Sequence, residues 1–294
     1  LVAANSVPVN TYWIDAGWTR IPSGGTWAEY NGNWTPDPTR FPNGIKPISD
    51  NAHSHGYKFL LWFEPERVMP NTDTYTQHPP SWFLSPSGLP GNLSYQSTWR
   101  LLNLGNPDAL AWAQSYFSGL LTSYGVDVYR QDFNMHPLYY WHTGEASNRA
   151  GMAQIKYVTG LYAYLDYLMA QHPNLLIDNC ASGGRRIDFE MMKRSITLTR
   201  TDYLWDPVGQ QSMTYGLSQW VPITGIGSDG VDTYKCRSGF GSTFDLPLDW
   251  PNCPPASFAL AVQNAGYAAS IKDLFRGDFY PLTTYSTASN VWIA

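Results

Sequence analysis

Five apolar stretches of this chain turn polar at the same end. Thr11-Tyr-Trp-Ile-Asp15, Phe59-Leu-Leu-Trp-Phe-Glu64, Asp127-Val-Tyr-Arg-Gln-Asp-Phe-Asn134, Leu175-Leu-Ile-Asp178 and Ile196-Thr-Leu-Thr-Arg-Thr-Asp202 each run through aliphatic, aromatic or β-branched residues towards a carboxylate. In an extended chain residues two apart share a side, so Arg130, Asp132 and Asn134 face together. A parallel sheet that carries its chemistry on its C-terminal edge accounts for five such ends at once.

Helical and extended stretches alternate through most of the chain. Strands are expected over residues 9–15, 57–63, 126–130, 174–178, 195–200 and 221–224, with a seventh around 266–270. Helices are expected over 45–55, 107–124, 150–171, 189–194 and 210–220, with Gly56 and Gly125 closing the first two and Pro107 opening the second. Such alternation argues for an all-parallel sheet, and 294 residues suffice for the roughly 250 of a TIM-type barrel. The expected fold is α/β, a (β/α)8 TIM-type barrel, with fewer strands read here than the eight that closure needs. A flavodoxin-like open sheet is the alternative; it fits less well because no Gly-rich phosphate loop follows the first strand. The long stretches after Asp15, Glu64 and Thr224 exceed ordinary βα connections and point to a pocket on that face.

Charge and composition narrow the partners. A net charge of −5 with 14% charged residues leaves no basic footprint for nucleic acid. No apolar run approaches the roughly 20 residues of a membrane span, so no membrane partner is expected. Aromatic residues make up 15% of the chain, and Trp18, Trp27, Trp34, Trp82 and Trp99 fall in polar loops. They either cover the core or offer flat rings to a sugar, and composition leaves both readings open. Three cysteines are too few for a disulfide scaffold. Cys236 and Cys253 enclose a Gly- and Pro-rich loop and are expected to pair if the protein is exported, and only such a bond would favour an extracellular or periplasmic location over the cytoplasm; Cys180 remains a thiol. His53 and His55 read as a helix surface rather than as metal ligands, and Ser182-Gly-Gly-Arg-Arg186 lacks the Gly-Lys-Ser/Thr of a nucleotide site. Neither a metal nor a cofactor is expected.

Two carboxylates on one face are the minimum for glycoside hydrolysis, one to attack or stabilise the oxocarbenium-like centre and one to protonate the leaving oxygen. Asp132 and Asp202 are the best pair, because each follows an apolar strand and each has an arginine two residues earlier, Arg130 and Arg200, placed to hold a carboxylate ionised or to orient a hydroxyl. Taken singly, a strand-end Asp is more often a helix N-cap or a loop ion pair.

Trp13-Ile-Asp-Ala-Gly-Trp18, Leu61-Trp-Phe-Glu-Pro-Glu66, Arg100-Leu-Leu-Asn-Leu104, Tyr129-Arg-Gln-Asp-Phe-Asn134, Asn179-Cys-Ala-Ser-Gly-Gly184 with Arg186 and Asp188, Arg200-Thr-Asp202 and Gly277-Asp-Phe-Tyr280 follow one another along nearly the whole chain. In that order they resemble glycoside hydrolase family 36, the clan of retaining α-galactosidases, α-N-acetylgalactosaminidases and raffinose-type galactosyl transferases. The resemblance implies Asp132 as nucleophile and Asp202 as acid/base, with Asp15, Trp62, Arg100, Arg130, Asn134, Cys180, Gly183 and Arg200 around the sugar. It further implies an exo-acting retaining α-glycosidase that releases terminal α-galactose or α-N-acetylgalactosamine through a covalent glycosyl-enzyme intermediate. A transglycosylase on the same site and a catalytically silent carbohydrate-binding barrel are the alternatives.

Three positions depart from the family pattern. Ala16 stands where the second Asp of Asp-Asp-Gly-Trp is usual, Arg130 where Lys is usual, and Gln131 where Trp is usual. The catalytic pair is untouched, but a carboxylate that would grip ring hydroxyls is missing, which brings in a substituted galactoside or another α-glycoside as substrate. Family members usually carry β domains on both sides of the barrel and often one more barrel strand ahead of the Trp13-Ile-Asp15 strand, so the resemblance implies a barrel incomplete at its N-terminus. Residues 1–280 are therefore expected to be the catalytic barrel and 281–294 an exit segment towards a C-terminal β domain. The expected partners are an oligosaccharide or glycoconjugate substrate, and flanking β domains or an oligomer.

Overall fold

The computed structural model describes residues 6–22, 24–143, 145–204, 206–221, 223–228, 232–247, 252–288 and 292–294. They form two compact units, an N-terminal unit of Thr11–Ile177 and a C-terminal unit of Leu1–Asn10 with Asp178–Ala294.

The N-terminal unit contains strands β1 (Thr11–Ile14), β2 (Lys58–Phe63), β3 (Arg67–Val68), β4 (Phe83–Leu84), β5 (Arg100–Leu102) and β6 (Val128–Gln131), and helices α1 (Lys46–Ser54), α2 (Asp73–Thr76), α3 (Pro107–Tyr124), α4 (Leu138–Trp141) and α5 (Met152–Gln171). β1, β2 and β6 pair in parallel, with Ile14 opposite Leu61 and Leu61 opposite Tyr129. β7 (Leu176–Asn179) starts beside them, the Leu176 N–H donating to the Asp127 carbonyl. Residues 59–63 are all exposed by 2% or less. A parallel strand covered on both faces reads as a continuous apolar run rather than an alternating one.

Helix limits follow the side chains present. The Asn106 side chain accepts the N–H groups of Asp108 and Ala109 at 2.9 and 3.4 Å to start α3, and Gly125 ends it at φ +66°; such an N-cap contributes about 1 kcal/mol. Ala109, Ala113, Phe117 and Leu121 form its buried stripe. α5 presses on the chain after β5 so closely that a Cβ at Gly160 would lie 1.9 Å from the Leu104 carbonyl oxygen, and glycine alone fits there. Trp18 meets Phe63 and Tyr124 edge-on at 5.5 and 5.7 Å, and Trp34 meets Phe117 at 5.4 Å. Both tryptophans are buried. Of the two readings open for the loop tryptophans, these two take the core one.

Between β2 and α3, where the sequence reads as loop, β3, β5 and β4 form a small antiparallel sheet. Strands of two or three residues are too short to show periodicity.

The C-terminal unit contains α6 (Phe189–Met192), α7 (Pro207–Leu217), β8 (Gly225–Gly227), α8 (Thr233–Ser238), β9 (Thr243–Asp245) and α9 (Pro255–Ile271). Parallel bridges join Asp178 to Ile196 and Thr197 to Thr224, and β8 pairs in parallel with β9. The strand expected at 195–200 is thus reduced to bridges, and the one expected at 221–224 begins only at Thr224, with Pro222 outside the described residues. The strand expected around 266–270 is not formed, because these residues lie inside α9. An alanine-rich run has the strongest helix propensity, and this one buries Ala261, Asn264 and Ala265 at helical spacing. The further parallel strand is instead β9, within the loop between Cys236 and Cys253. Those two cysteines do not make the expected disulfide. Cys236 is buried in α8 with its Sγ 3.2 Å from Ser228 Oγ, while Cys253 is half-buried ahead of α9. Among the described residues no eighth parallel strand completes a barrel, and no helix is long and apolar enough to cross a membrane.

Candidate active site

Asp132 lies one residue beyond β6, and its N–H still donates to the Phe63 carbonyl at 2.8 Å, which keeps it in register with β2. Its carboxylate is 8% exposed by residue. Oδ1 accepts the Phe133 N–H at 2.7 Å, and Oδ2 accepts Trp62 Nε1 at 3.2 Å and Asn134 Nδ2 at 2.5 Å. Trp62, Asp132 and Asn134 therefore meet. Trp62 is itself fixed by Trp27, edge-on at 5.2 Å, and by Trp18, whose Nε1 donates to the Trp62 carbonyl at 2.8 Å. These donors set the rotamer of the Asp132 carboxylate.

Behind this cluster lies a pair of buried charges. Arg67 grips Glu64 with two hydrogen bonds, Nε to Oε1 at 2.8 Å and Nη2 to Oε2 at 2.5 Å. Both residues are almost fully buried. The guanidinium lies over the rings of Trp27 and Trp99, 5.4 and 4.9 Å from their centroids, and donates to the Ala28 carbonyl at 2.8 Å. Burial pushes the Glu64 carboxyl above the usual carboxylate range, the Arg67 charge opposes this, and the charge of Asp132 adds to it. Oε1 also accepts the Asn134 N–H at 2.6 Å. Asn31 Nδ2 donates to the carbonyls of Glu64 and Arg67 at 2.9 and 2.5 Å. Arg67 and Asn31 were not anticipated from the sequence; the available signal was the Glu64-x-x-Arg67 spacing. Glu66, also buried, accepts Gln131 Nε2 at 2.7 Å and the Tyr157 hydroxyl.

Asp15 stands at the end of β1. Trp13 Nε1 donates to its Oδ2 and the Ala16 N–H to its Oδ1, each at 2.8 Å. Arg130 Nε lies 3.2 Å from Asp15 Oδ2, with the guanidinium 4.6 Å from the Trp13 ring centroid. The Arg130 side chain is 6% exposed and that of Asp15 52%, so the pair offers a carboxylate to solvent and keeps the cation beneath. Arg100 belongs to β5, opposite Val68. Its Nη1 donates to the carbonyls of Thr98 and Trp99 at 3.0 and 2.9 Å, and among the described residues it makes no hydrogen bond to Asp132. The expected metal-free histidine pair is a surface feature. His53 Nε2 meets Asp127 Oδ2 at 2.7 Å, and His55 stacks on Tyr57.

In the C-terminal unit the chain leaves β7 through buried Cys180 into a tight turn, with the Ala181 N–H donating to the Gly183 carbonyl at 2.8 Å. Ser182 and Gly183 have φ of +47° and +83°. A Cβ at Gly183 would lie 2.8 Å from Thr201 Cα and 3.0 Å from the Asp202 nitrogen, and one at Gly184 would lie 2.5 Å from the Arg200 carbonyl oxygen. Backbone contact thus sets the turn after Cys180 against Arg200, Thr201 and Asp202. Asp202 is exposed. Arg185 folds back over the turn, donating to the Ala181 carbonyl and to Ser182 Oγ at 2.9 Å each.

Arg200, expected to hold a carboxylate ionised or to orient a hydroxyl, turns towards neutral oxygens of the protein. It is buried, and its Nη2 donates to Thr214 Oγ1 at 2.6 Å and the Gln210 carbonyl at 3.1 Å, while Nη1 donates to Thr224 Oγ1 at 3.3 Å. These neutral oxygens tie it to α7, and burial lowers its guanidinium to about 10. Two other acids of the motifs are structural: Asp178 accepts the Leu198 N–H at 2.9 Å, and Asp188 caps α6 through the N–H groups of Glu190 and Met191, each at 2.9 Å.

Several known proteins of similar sequence or fold are α-galactosidases. An α-galactosidase of Escherichia coli is 30% identical over 240 residues, which cover 81% of this chain and 32% of that protein. The crystal structure of the α-galactosidase from Lactobacillus brevis matches with a TM-score of 0.81 at 24% identity, over 96% of this chain and 39% of that one. A variant of the GH36 α-galactosidase AgaA from Geobacillus stearothermophilus, in complex with raffinose, matches with a TM-score of 0.80 at 22% identity, over 96% and 41%. At these identities the solved structures bear on the fold. Residues 2–234 match the family described as Melibiase, and with its motifs in the order of glycoside hydrolase family 36 the chain belongs to the melibiase family.

Proposed function

We propose that this chain is the catalytic part of a retaining, exo-acting α-galactosidase whose substrates are oligosaccharides or glycoconjugates with a terminal α-galactosyl unit. The observation that carries the reading is Asp132, a buried strand-end carboxylate held by the indole of Trp62 and the amide of Asn134. In the reaction, an Asp132 oxygen attacks the anomeric carbon while the bond to the leaving oxygen breaks and Asp202 gives that oxygen its proton. Asp202 then takes a proton from water, the water attacks the same carbon, and Asp132 departs. Two inversions return the α-anomer. Asp202 is assigned the second role because it ends a parallel stretch, is exposed, and has its backbone braced by Gly183. Asp15, half-exposed above Arg130, is the carboxylate offered to ring hydroxyls. With Ala16 beside it a second carboxylate is lacking, so substituted galactosides stay within the proposed substrate class. Similarity to α-galactosidases, one of them solved with raffinose, supports the reading. The parallel strands are taken with it as parts of a (β/α)8 barrel.

The test is hydrolysis of aryl α-galactoside, α-N-acetylgalactosaminide and α-galactosaminide, with the first-formed anomer followed by NMR. The α-anomer of a galactose-type sugar is expected. Release of the β-anomer first, or no turnover of any of the three, overturns the proposal.

A further inference from the structure

We propose that Glu64 is a positioning residue for Asp132, acting through Asn134; the inference rests on Asp132 being the nucleophile. Along β6 the parallel ladder makes its last bond where the Asp132 N–H reaches the Phe63 carbonyl. The next rung, two residues on, would take the Asn134 N–H to the carbonyl of Pro65. Instead the Asn134 N–H donates to Glu64 Oε1 at 2.6 Å. A carboxylate therefore stands in for the missing rung, and it does so at the residue whose side chain turns back to hold Asp132 Oδ2 at 2.5 Å.

Asn134 is thus used at both ends, its backbone fixed by Glu64 and its amide fixing the nucleophile. Glu64 is held in turn by Arg67, which gives two bonds to the carboxylate, with the Trp27 and Trp99 rings packed beside the guanidinium. An anion is suited to the task because Oε1 accepts from both Arg67 Nε and the Asn134 N–H. Anchoring of the loop does not explain the carboxylate, since Asn31 already holds the carbonyls of Glu64 and Arg67 without touching it.

The experiment compares two double variants of the full chain on an aryl α-galactoside. Glu64→Leu with Arg67→Met and Glu64→Gln with Arg67→Met both remove the buried ion pair and roughly keep volume, but only the second retains an acceptor for the Asn134 N–H. In the Leu pair kcat is expected to fall about 10- to 100-fold, the scale of a misplaced reacting group, with KM within about twofold, and the Gln pair is expected to recover most of that loss. Equal kcat in the two pairs, or a loss that lies in KM, overturns the inference. Should the Leu pair fail to fold, Trp99→Leu removes one of the two rings beside the guanidinium and leaves the charges in place. It is expected to lower kcat about two- to fivefold at unchanged KM, and an unchanged kcat counts against the inference. A fluorinated galactosyl fluoride that traps the covalent intermediate separates the two levels of the reading. If the wild-type protein is labelled at Asp132 while the variants behave alike, this inference alone falls; if it turns over no α-galactoside, both fall.

Discussion

β6 has an aspartate just outside each end, and the two are held in different ways. Asp127, before the strand, takes His53 Nε2 and the Phe59 N–H on one oxygen, each at 2.7 Å, with its side chain 32% exposed. Asp132, after the strand, is buried and accepts hydrogen bonds from an indole, an amide and the next peptide. The first carboxylate joins α1 to the start of β2, and its bonds serve the fold. The second is held by groups of β2 and of its own strand end, and in the proposed reaction it is the nucleophile. On that reading opposite ends of one strand divide stability from chemistry, as parallel α/β architectures commonly do.

The largest effect expected from this division is at Asp132. Asp132→Ala should lower kcat/KM on an aryl α-galactoside by about 10⁴-fold or more, and azide should restore turnover with an inverted glycosyl azide as product. Asp202→Ala is expected to lose about 10²- to 10⁴-fold on an oligosaccharide, but far less on an activated aryl glycoside whose leaving group needs no proton; equal losses on both would remove Asp202 from its role. Trp62→Phe deletes one donor to Asp132 and should cost about tenfold in kcat, in keeping with one lost hydrogen bond to a charged group. The smallest catalytic effect belongs to the other end of the strand. Asp127→Asn should leave kcat/KM within about twofold while lowering stability by about 1 kcal/mol, read as a drop of a few degrees in Tm. A catalytic loss there comparable to that of Trp62→Phe would break the comparison.

Much of the N-terminal unit is legible in the sequence because its signals are local. Apolar runs ending in Asp15, Glu64 and Asp132 mark parallel strands, and Asn106, Pro107 and Gly125 mark the limits of α3. The C-terminal unit is harder to read. The run 258–269 mixes aliphatic and small residues, and only its packing shows which alanines face inwards, so a helix was taken for a strand. β9 is three residues of half-buried chain in a loop that reads as Gly- and Pro-rich. In the site, the shared side of Asp132 and Asn134 is legible from period-two alternation, while Trp62 joins them through the register of β2 against β6, which the structure shows. The use of Arg200 does not, since whether an arginine meets a carboxylate or the hydroxyl of Thr214 depends on where α7 packs. Nor could the loop tryptophans be divided in advance. Trp18 and Trp34 enter the core, whereas Trp27 and Trp99 pack beside a guanidinium, and all four sit in similar polar surroundings in the sequence.

Gly183 has a meaning for the proposed acid that reaches past its own turn. The gap between its Cα and the peptide joining Thr201 to Asp202 is filled by a hydrogen atom, since a methyl carbon in that place would stand 2.8 Å from Thr201 Cα. The height of Asp202 over the turn is therefore gauged by main chain, with no side chain between them to flex or repack. A shim of one carbon at residue 183 would lift the acid bodily, so the reach of the proton donor is machined into the backbone and can be retooled there without touching a single catalytic group.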